Sequence, residues 1–490
     1  MSTIAPQSGE VLWRRLLLSP ARGSSVRAKS FFEAVATVAE QCADFFTAAF
    51  AVTSAFWADL QLRAGRATPY SEVQAGKAVL LIASLVVAML AIDGAYQRGN
   101  SLLRIRETER ILRASARTLA IMLLTAFFTE HPIPWAVLAM AMLLVPLSLT
   151  AEKQVMYFLL QRLHSHGRRV RNVVIYGAGT TGRRLFSVLI RSPKLGLNPV
   201  AIVDDDALLA GKEIHAYAYN RTRSAEVVGG PVTDGLVARL GAHLVIVAIP
   251  SLCTEKLDEV ARASVTAGAE VAFTPRLSLH SDLVANYVDI DGVLISSLQT
   301  PARRAGYDQA KRIFDLGAAA LLLAAFAPFW LLIVLLIRAD SSGPAIFTQD
   351  RIGRNGQPFR IFKFRTMYPT APRYAAHPNG RDDERVTPLG AWLRRTSLDE
   401  LPQLLNVLRG EMSLVGPRPE MPFMVEKYEQ RHWQRLQVIP GITGLWQLSA
   451  DRAFPIHENV HYDLYYVRNR NFFMDVAILF HTLMFAMKGM

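Results

Sequence analysis

At 490 residues the chain is too long for one domain, and two or three are expected. A hydrophobic content of 51% with a mean hydropathy of +0.20 argues against a wholly soluble protein and directs attention to membrane segments. The net charge of +13 calls for an acidic partner, an anionic lipid or a phosphorylated substrate, and the aromatic-interleaved basic motifs of common RNA modules are absent, so no nucleic-acid partner is expected.

Residues 1–30 form a polar, basic segment with no apolar core of the kind a cleavable signal peptide carries. Four apolar stretches follow within residues 31–150 and predict a helical transmembrane bundle: Phe31–Trp57, interrupted by Glu33, Glu40 and Asp44; Ala78–Ala95; Ile111–Thr129, with Arg113 and Arg117 near its start; and Ile133–Thr150, after Pro132 and Pro134. Each approaches the roughly 20 residues that a bilayer core requires. Arginines precede the first stretch, fill the link between the second and third (Arg98, Arg104, Arg106, Arg110) and follow the fourth (Arg162, Arg168, Arg169, Arg171). By the positive-inside rule those three regions are cytoplasmic, and both ends of a four-span bundle face inward. Cys42 and Cys253 lie far apart in apolar contexts and are expected to be free, buried thiols.

Residues 172–300 read as a Rossmann-like α/β domain. NVVIYGAGTTG is an apolar strand running into Gly177, Gly179 and Gly182 and then a helix, and VAIVDDD brings Asp204 to about where a ribose-binding acid falls. HLVIVAIP and EVAFTP read as further parallel strands. The glycines form either a nucleotide loop or simply a tight strand-to-helix turn, and the Tyr-x-x-x-Lys pair of extended Rossmann oxidoreductases does not occur in this stretch.

Residues 308–490 carry the chemistry. Ile313–Ile337 is a fifth apolar segment with Pro328 near its centre, where a proline removes a backbone hydrogen bond and bends or breaks a helix. If the segment spanned, everything after it would lie outside; a re-entrant helix over residues 313–337, bending near Ala327 and Pro328, keeps the rest of the chain cytoplasmic. FRIFKFRTM alternates as a strand with one cationic face bearing Lys363 and Arg365, and Tyr374–Asp383 reads as an exposed loop. In LRRTSLDELPQLLNVLRGEMSLVGPRPE the adjacent acids Asp399 and Glu400 sit among Arg394, Arg395, Arg409 and Arg418. Ser397 and Glu400 have capping-box spacing before LPQLLNVL. Adjacent side chains there diverge by about 100°, so the acids are assigned separate tasks, one as nucleophile toward phosphorus and one as ligand of Mg²⁺, with the arginines as phosphate forks. Acids at a helix start are also ordinary complements of its dipole, so these residues alone leave both readings open. Phe472–Met487 is short and apolar and reads as a helix lying on the membrane surface or on the core.

RRTSLDELPQLLNVLRGEMSLVGPRP resembles the signature of the bacterial sugar transferases, the polyisoprenyl-phosphate hexose-1-phosphate transferases. KRIFDLGAAALL, GPAIFTQDRIGRNGQPFRIFKFRTM, IPGITGLWQL and YDLYYV fit in order, over about the last 180 residues. The resemblance implies a membrane enzyme with a re-entrant helix. It would move hexose-1-phosphate from a UDP-sugar (UDP-glucose or UDP-galactose) to undecaprenyl phosphate, releasing UMP, in priming exopolysaccharide, capsule or O-antigen synthesis. Asp399 would carry the phosphosugar covalently, Glu400 would hold Mg²⁺, and Lys363, Arg365, Arg394 and Arg418 would bind phosphate. The location implied is the bacterial inner membrane, with the active site on the cytoplasmic face, in contact with lipid; a homo-oligomer is compatible with the sequence. Ser449-Ala450-Asp451-Arg452 stands where the family pattern commonly has Gly-Arg. The rival readings are an NAD-dependent nucleotide-sugar enzyme at the glycine loop and a non-catalytic membrane scaffold.

Overall fold

The computed structural model describes residues 26–63, 68–96, 104–128, 133–165, 170–191, 196–218, 221–274, 284–290, 293–299, 305–371, 383–449 and 460–487. Most of the basic N-terminal segment, the loop Tyr374–Asp383 up to residue 382, and Ala450–Arg452 lie outside them. The chain divides into two compact units, Met1–Ser278 and Leu279–Met490.

In the first unit α1 (Val26–Leu62) packs on α2 (Glu72–Ile92) and α4 (Trp135–Ser165), and α3 (Arg104–Phe128) packs on α2 and α4. Ala48, Ala51, Val52 and Ala55 recur at helical spacing on α1 and meet Ile82, Val86 and Leu90 of α2 and Val137, Ala141 and Val145 of α4. The small residues on α1 let the backbones approach closely. The outer faces are apolar too, with Phe46, Phe50, Trp57, Leu80 and Leu143 exposed, as in a helix bundle solvated by lipid.

Three helical stretches here, Thr37–Leu62, Glu72–Ile92 and Trp135–Leu159, are long and apolar enough to cross a membrane. Among the described residues the predicted third span, Ile111–Thr129, is not one of these, and its end lies outside them. Its helix starts seven residues before the expected Ile111 and takes in Arg104, Arg106 and Arg110, and its buried positions include Thr108, Glu109, Arg110, Ser115 and Thr118. Two of the acids interrupting α1, Glu40 and Asp44, are paired across the bundle. Lys153 Nζ lies 2.9 Å from Glu40 and 2.7 Å from Asp44, and the Tyr96 hydroxyl donates to Asp44 at 2.8 Å. Cys42 and Cys253 are free, as expected, but both are exposed. Cys42 lies on a bundle helix whose outer face is apolar, and Cys253 is the N-cap of a surface helix, so apolar neighbours in sequence did not mean burial.

The rest of this unit is a six-stranded sheet of order β3-β4-β2-β1-β5-β6. β1 (Arg171–Tyr176), β2 (Leu197–Asp204), β4 (Arg221–Gly229), β5 (Leu244–Val247) and β6 (Glu270–Phe273) run parallel, and β3 (Glu213–Ala218) closes one edge antiparallel to β4. The predicted strands at HLVIVAIP and EVAFTP are thus β5 and β6, both parallel to β1. β1 is central and its last four residues, VVIY, are buried, because α5 (Thr180–Arg191) covers one face while α6 (Asp234–Arg239) and α7 (Thr254–Thr266) cover the other.

In the second unit β7 (Val284–Ile290) and β8 (Val293–Gln299) form a hairpin, followed by α8 (Ala305–Asp340). α8 is helical throughout with Pro328 inside it. Asp315 and Ala319 are buried on one side of the proline and Ile333 and Ile337 on the other; from Ala320 to Pro328 every residue except Leu323 is exposed. β9 (Ile346–Ile352) and β10 (Pro358–Phe364) pair antiparallel. Then come α9 (Pro388–Arg395), a 3₁₀ turn at Leu398–Glu400 and α10 (Gln403–Arg409). β11 (Ser413–Val415) pairs parallel with β12 (Gly441–Thr443), with the short helices α11 (Pro422–Val425) and α12 (Gln430–Trp433) between them, and α13 (His461–Asn469) and α14 (Phe472–Met487) complete the unit.

The glycines of VGPRP and PGITG are explained by the approach of β11 to β12. A Cβ on Gly441 would stand 2.0 Å from the Gly416 nitrogen, so no side chain fits. Gly441→Ala is expected to destabilise the protein by about 2–4 kcal/mol. Gly179→Ala, where an added Cβ meets nothing within 4 Å, should stay within about 0.5 kcal/mol of wild type. Thermal unfolding of the purified protein checks both, and equal effects would show that the close approach is not the constraint.

Candidate active site

Four segments of the second unit converge on the acid pair. α9 starts with Thr387 accepting the Gly390 N–H at 2.9 Å and Pro388 in its first turn, and it ends at Thr396. Ser397 then takes a left-handed conformation, φ 57°, which reverses the chain into the 3₁₀ turn that holds Asp399 and Glu400. This corrects the capping-box expectation. Ser397 makes no side-chain cap, because the α-helix begins only after Pro402 and the serine is a linker between helices. The acids do occupy the turn just before that helix, on adjacent and divergent positions.

β10 supplies Lys363, whose Nζ donates to Glu400 Oε1 at 2.7 Å. The segment after β11 supplies Arg418, which donates to the same oxygen at 3.2 Å. Arg394, on the last turn of α9, donates through Nε to the Thr366 hydroxyl at 2.8 Å and contributes, with Lys363 and Arg418, to the positive field on Asp399. Among the described residues Asp399 itself makes no hydrogen bond or ion pair. Burial raises its pKa, and the Glu400 charge adds to this; Lys363, Arg394 and Arg418 oppose it without cancelling it. Burial also works against the Glu400 anion, but Lys363 and Arg418 outweigh it and hold that carboxyl down to about 2. Two adjacent carboxyls thus differ in character: one is locked as an anion between two cations, the other is desolvated and directly bonded to nothing.

Arg365 stands elsewhere. β10 ends at Phe364, and the Arg365 guanidinium turns to the end of α8, donating to the Ser341 carbonyl at 2.7 Å and the Ser341 hydroxyl at 3.0 Å. It is buried there as a cationic cap on the negative end of the helix. The expected single cationic face of this strand does not form. Arg360 and Lys363 are three apart and so point to opposite faces of a strand, and Arg360 is exposed opposite Asp350. Arg395 is exposed, and Arg409 stacks over the Phe362 ring at 4.7 Å.

Two supports were not anticipated from the sequence. Asn406, fully buried on α10, accepts from Phe362 N at 3.1 Å and donates to the Arg360 carbonyl at 2.7 Å, so it ties the helix after the acid pair to the strand that carries Lys363. Arg435 is the largest fully buried side chain among those described. It donates to Asp463 at 2.9 Å, to the Tyr428 hydroxyl, and to the Arg418 carbonyl at 2.6 Å, fixing the Pro417–Pro419 segment from behind. The available signals were an asparagine inside an apolar helical run and charged residues inside the RHWQRLQVIPG and YDLYYV stretches.

At the glycine loop of the first unit, Asp204 accepts the Ala178 N–H at 2.6 Å. A Cβ on Gly182 would stand 1.7 Å from the Gly177 carbonyl oxygen, and one on Gly177 would stand 2.6 Å from Ile249. Packing alone accounts for two of the three glycines.

Residues 306–489 match the family described as bacterial sugar transferase, and residues 91–233 match one described as CoA-binding domain. The chain is 30% identical over 328 residues to a UDP-glucose:undecaprenyl-phosphate glucose-1-phosphate transferase of Escherichia coli K12, covering 65% of this chain and 68% of that protein. It is 40% identical over 200 residues to the exopolysaccharide production protein ExoY of Rhizobium meliloti, covering 88% of the latter. The chain belongs to the bacterial sugar transferase family. A third relative of this family, the undecaprenyl-phosphate glucose phosphotransferase of Komagataeibacter xylinus, is 45% identical over 189 residues, but the matched stretch spans only 35% of its length. Among solved structures, RSP with β-NADH aligns with 35% of the chain at 20% identity and a TM-score of 0.21, too remote to carry an argument.

Among the described residues, no group of three or more His, Cys, Asp or Glu converges as a metal cage. The acid pair of this transferase suits a different mode of binding. Mg²⁺ commonly takes one or two carboxylates and completes its shell with water and substrate phosphate, and both cations on Glu400 fall on Oε1, leaving Oε2 for a further ligand bond.

In an infrared titration of the carboxyl band, Asp399 should protonate above the usual aspartate value of about 3.9, whereas Glu400 stays ionised to about pH 2. Lys363→Met should move both upward, and an unmoved Glu400 would contradict the ion pair. Asp463→Asn leaves the Arg435 charge buried without its closest acid and should lower stability by about 3–5 kcal/mol in thermal unfolding. Glu420→Gln, whose carboxylate is 3.6 Å from Arg435, should cost less.

Proposed function

We propose that this transferase moves glucose-1-phosphate from UDP-glucose to undecaprenyl phosphate through a covalent intermediate on Asp399, at the cytoplasmic face of the inner membrane, as the priming step of an exopolysaccharide. The observation that carries the reading is the division of labour in the acid pair. Lys363 and Arg418 both hold Glu400, and Asp399 stands beside it in the same positive field with no direct partner among the described residues. A desolvated carboxylate among cations is a competent nucleophile toward a phosphorus whose own negative charge would repel it in water.

In the first step an Asp399 oxygen bonds to the sugar-bearing phosphorus, the bond from that phosphorus to the bridging oxygen breaks, and UMP leaves with the electron pair. In the second, a phosphate oxygen of the lipid bonds to the same phosphorus, the bond to Asp399 breaks, and undecaprenyl-diphosphate-glucose departs with the carboxylate regenerated. Lys363, Arg394 and Arg418 hold the equatorial phosphate oxygens, whose charge shifts during in-line transfer. Mg²⁺ on Glu400, when bound, would neutralise the donor diphosphate.

The acceptor's phosphate lies at the membrane surface, and α8 supports a site held at that depth. Arg312, before its apolar stretch, donates to the carbonyls of Val407 and Leu408 at 2.6 and 3.0 Å, and Arg365 grips its far end. Both flanks are thus fastened to one α/β unit while the stretch from Ala320 to Pro328 is exposed, which favours a re-entrant excursion over a span. In the other unit the Asp204 carboxylate already takes an N–H of the glycine loop, which weighs against a bound dinucleotide there.

Detergent-purified protein with Mg²⁺, undecaprenyl phosphate and a panel of UDP-glucose, UDP-galactose and UDP-N-acetylgalactosamine should release UMP with one donor, and Asp399→Asn should lose about 10³-fold or more. Without acceptor, donor labelled at the sugar-bearing phosphate should leave label on the wild-type chain and none on Asp399→Asn. Turnover by that variant would overturn the covalent mechanism.

A further inference from the structure

Outside the acid-pair site, Lys311, Arg354 and Arg470 line one cavity of the second unit with Asp308, Tyr466 and Ile439. They come from the first turns of α8, the turn between β9 and β10, and the end of α13. The lining holds three cations to one carboxylate. Asp308 is 3.5 Å from Arg470. Lys311 is 2.9 Å from Asp475, which two hydroxyls, of Tyr307 and Tyr466, also approach, at 2.6 and 2.7 Å, and it is 3.9 Å from Asp315. Among the described residues Arg354 pairs with no carboxylate.

The chain positions of Lys311 and Arg470 set the depth of the cavity, which Arg354 shares by lining it. Two residues after Lys311 the apolar stretch of α8 begins at Ile313, which is 72% exposed, and two residues after Arg470 the apolar helix α14 begins at Phe472. Phe314 and Phe472 meet edge to face with ring centroids 5.6 Å apart. The polar-to-apolar boundaries of two neighbouring helices therefore coincide at this cavity. Cations at such a boundary face the phosphate layer of a bilayer.

We propose that this cavity binds the phosphate of an anionic phospholipid headgroup and so docks the second unit against the membrane. The inference rests on the reading that α8 enters the bilayer. A phosphodiester supplies acceptor oxygens that match the guanidinium fork of Arg354, with Arg470 and Lys311 adding positive charge beside it, and an uncharged glycerol headgroup leaves its negative charge uncompensated.

The test uses the delipidated full chain in detergent and measures binding by native mass spectrometry and thermal shift with dioleoyl-phosphatidylglycerol, dioleoyl-phosphatidylcholine and inorganic phosphate. Wild type should prefer phosphatidylglycerol. Arg354→Glu, on an exposed turn, should weaken that binding by about tenfold, and Arg360→Glu, the same charge change on the neighbouring strand, should leave it unchanged. Equal binding of the two lipids, an equal loss in Arg360→Glu, or saturation by inorganic phosphate alone would overturn the headgroup site. UMP release measured in parallel separates the two readings: lost lipid preference with intact release removes only the headgroup site, and intact preference without release removes only the transferase reading.

Discussion

The second unit depends on a single carboxylate oxygen. Glu400 Oε1 receives Lys363 from β10 and Arg418 from the segment after β11, two elements far apart in the chain. Removing either cation would leave a half-buried anion undercompensated, and removing the anion would set two cations against each other. The pair therefore fixes strand, turn and loop to one another. Its by-product is the isolation of Asp399, which shares the field of those cations but not their hydrogen bonds.

That triad stands on rigid backing. Asn406 satisfies two backbone groups of β10 with one buried amide, so the helix after the acids cannot slide along the strand without breaking both bonds. Arg435 anchors the Arg418 backbone through its carbonyl, and the prolines on either side limit what that backbone can do. Arg312 and Arg365 extend the backing to α8, each placing a guanidinium on carbonyls at the C-terminal end of a helix, where the dipole is negative. An apolar helix is thereby joined to the elements that carry the acids and Lys363.

Much of this was legible in the residues. The acids at the start of a helix, the strand containing Lys363, the central parallel strands of the sheet and the apolar segment around Pro328 are short-range patterns, and hydrophobic period and turn chemistry report such patterns directly. The failures share a cause. Ser397 has the spacing of a cap, but the conformation that denies it the role depends on where α9 ends. Arg365 continues the alternation of a cationic strand, but the strand stops one residue earlier. Cys42 has apolar neighbours, but which side of a helix faces lipid depends on its partner helices. The third apolar stretch lies on a helix that begins seven residues before it, at Arg104, because helix continuity reaches further than the apolar run.

The sequence by itself determined the chemistry available: two adjacent carboxyls, a set of cations, a proline inside an apolar helix and glycines where backbones must touch. These are properties of residue type and spacing, and they survive whatever the chain does at long range. Only the tertiary structure decided which cation meets which acid. Lys363 and Arg418 lie 37 and 18 residues from Glu400, and Arg435 and Asp463 lie 28 residues apart. Hydrogen bonds are made across space between elements whose approach is set by packing, and local pattern carries no record of that approach.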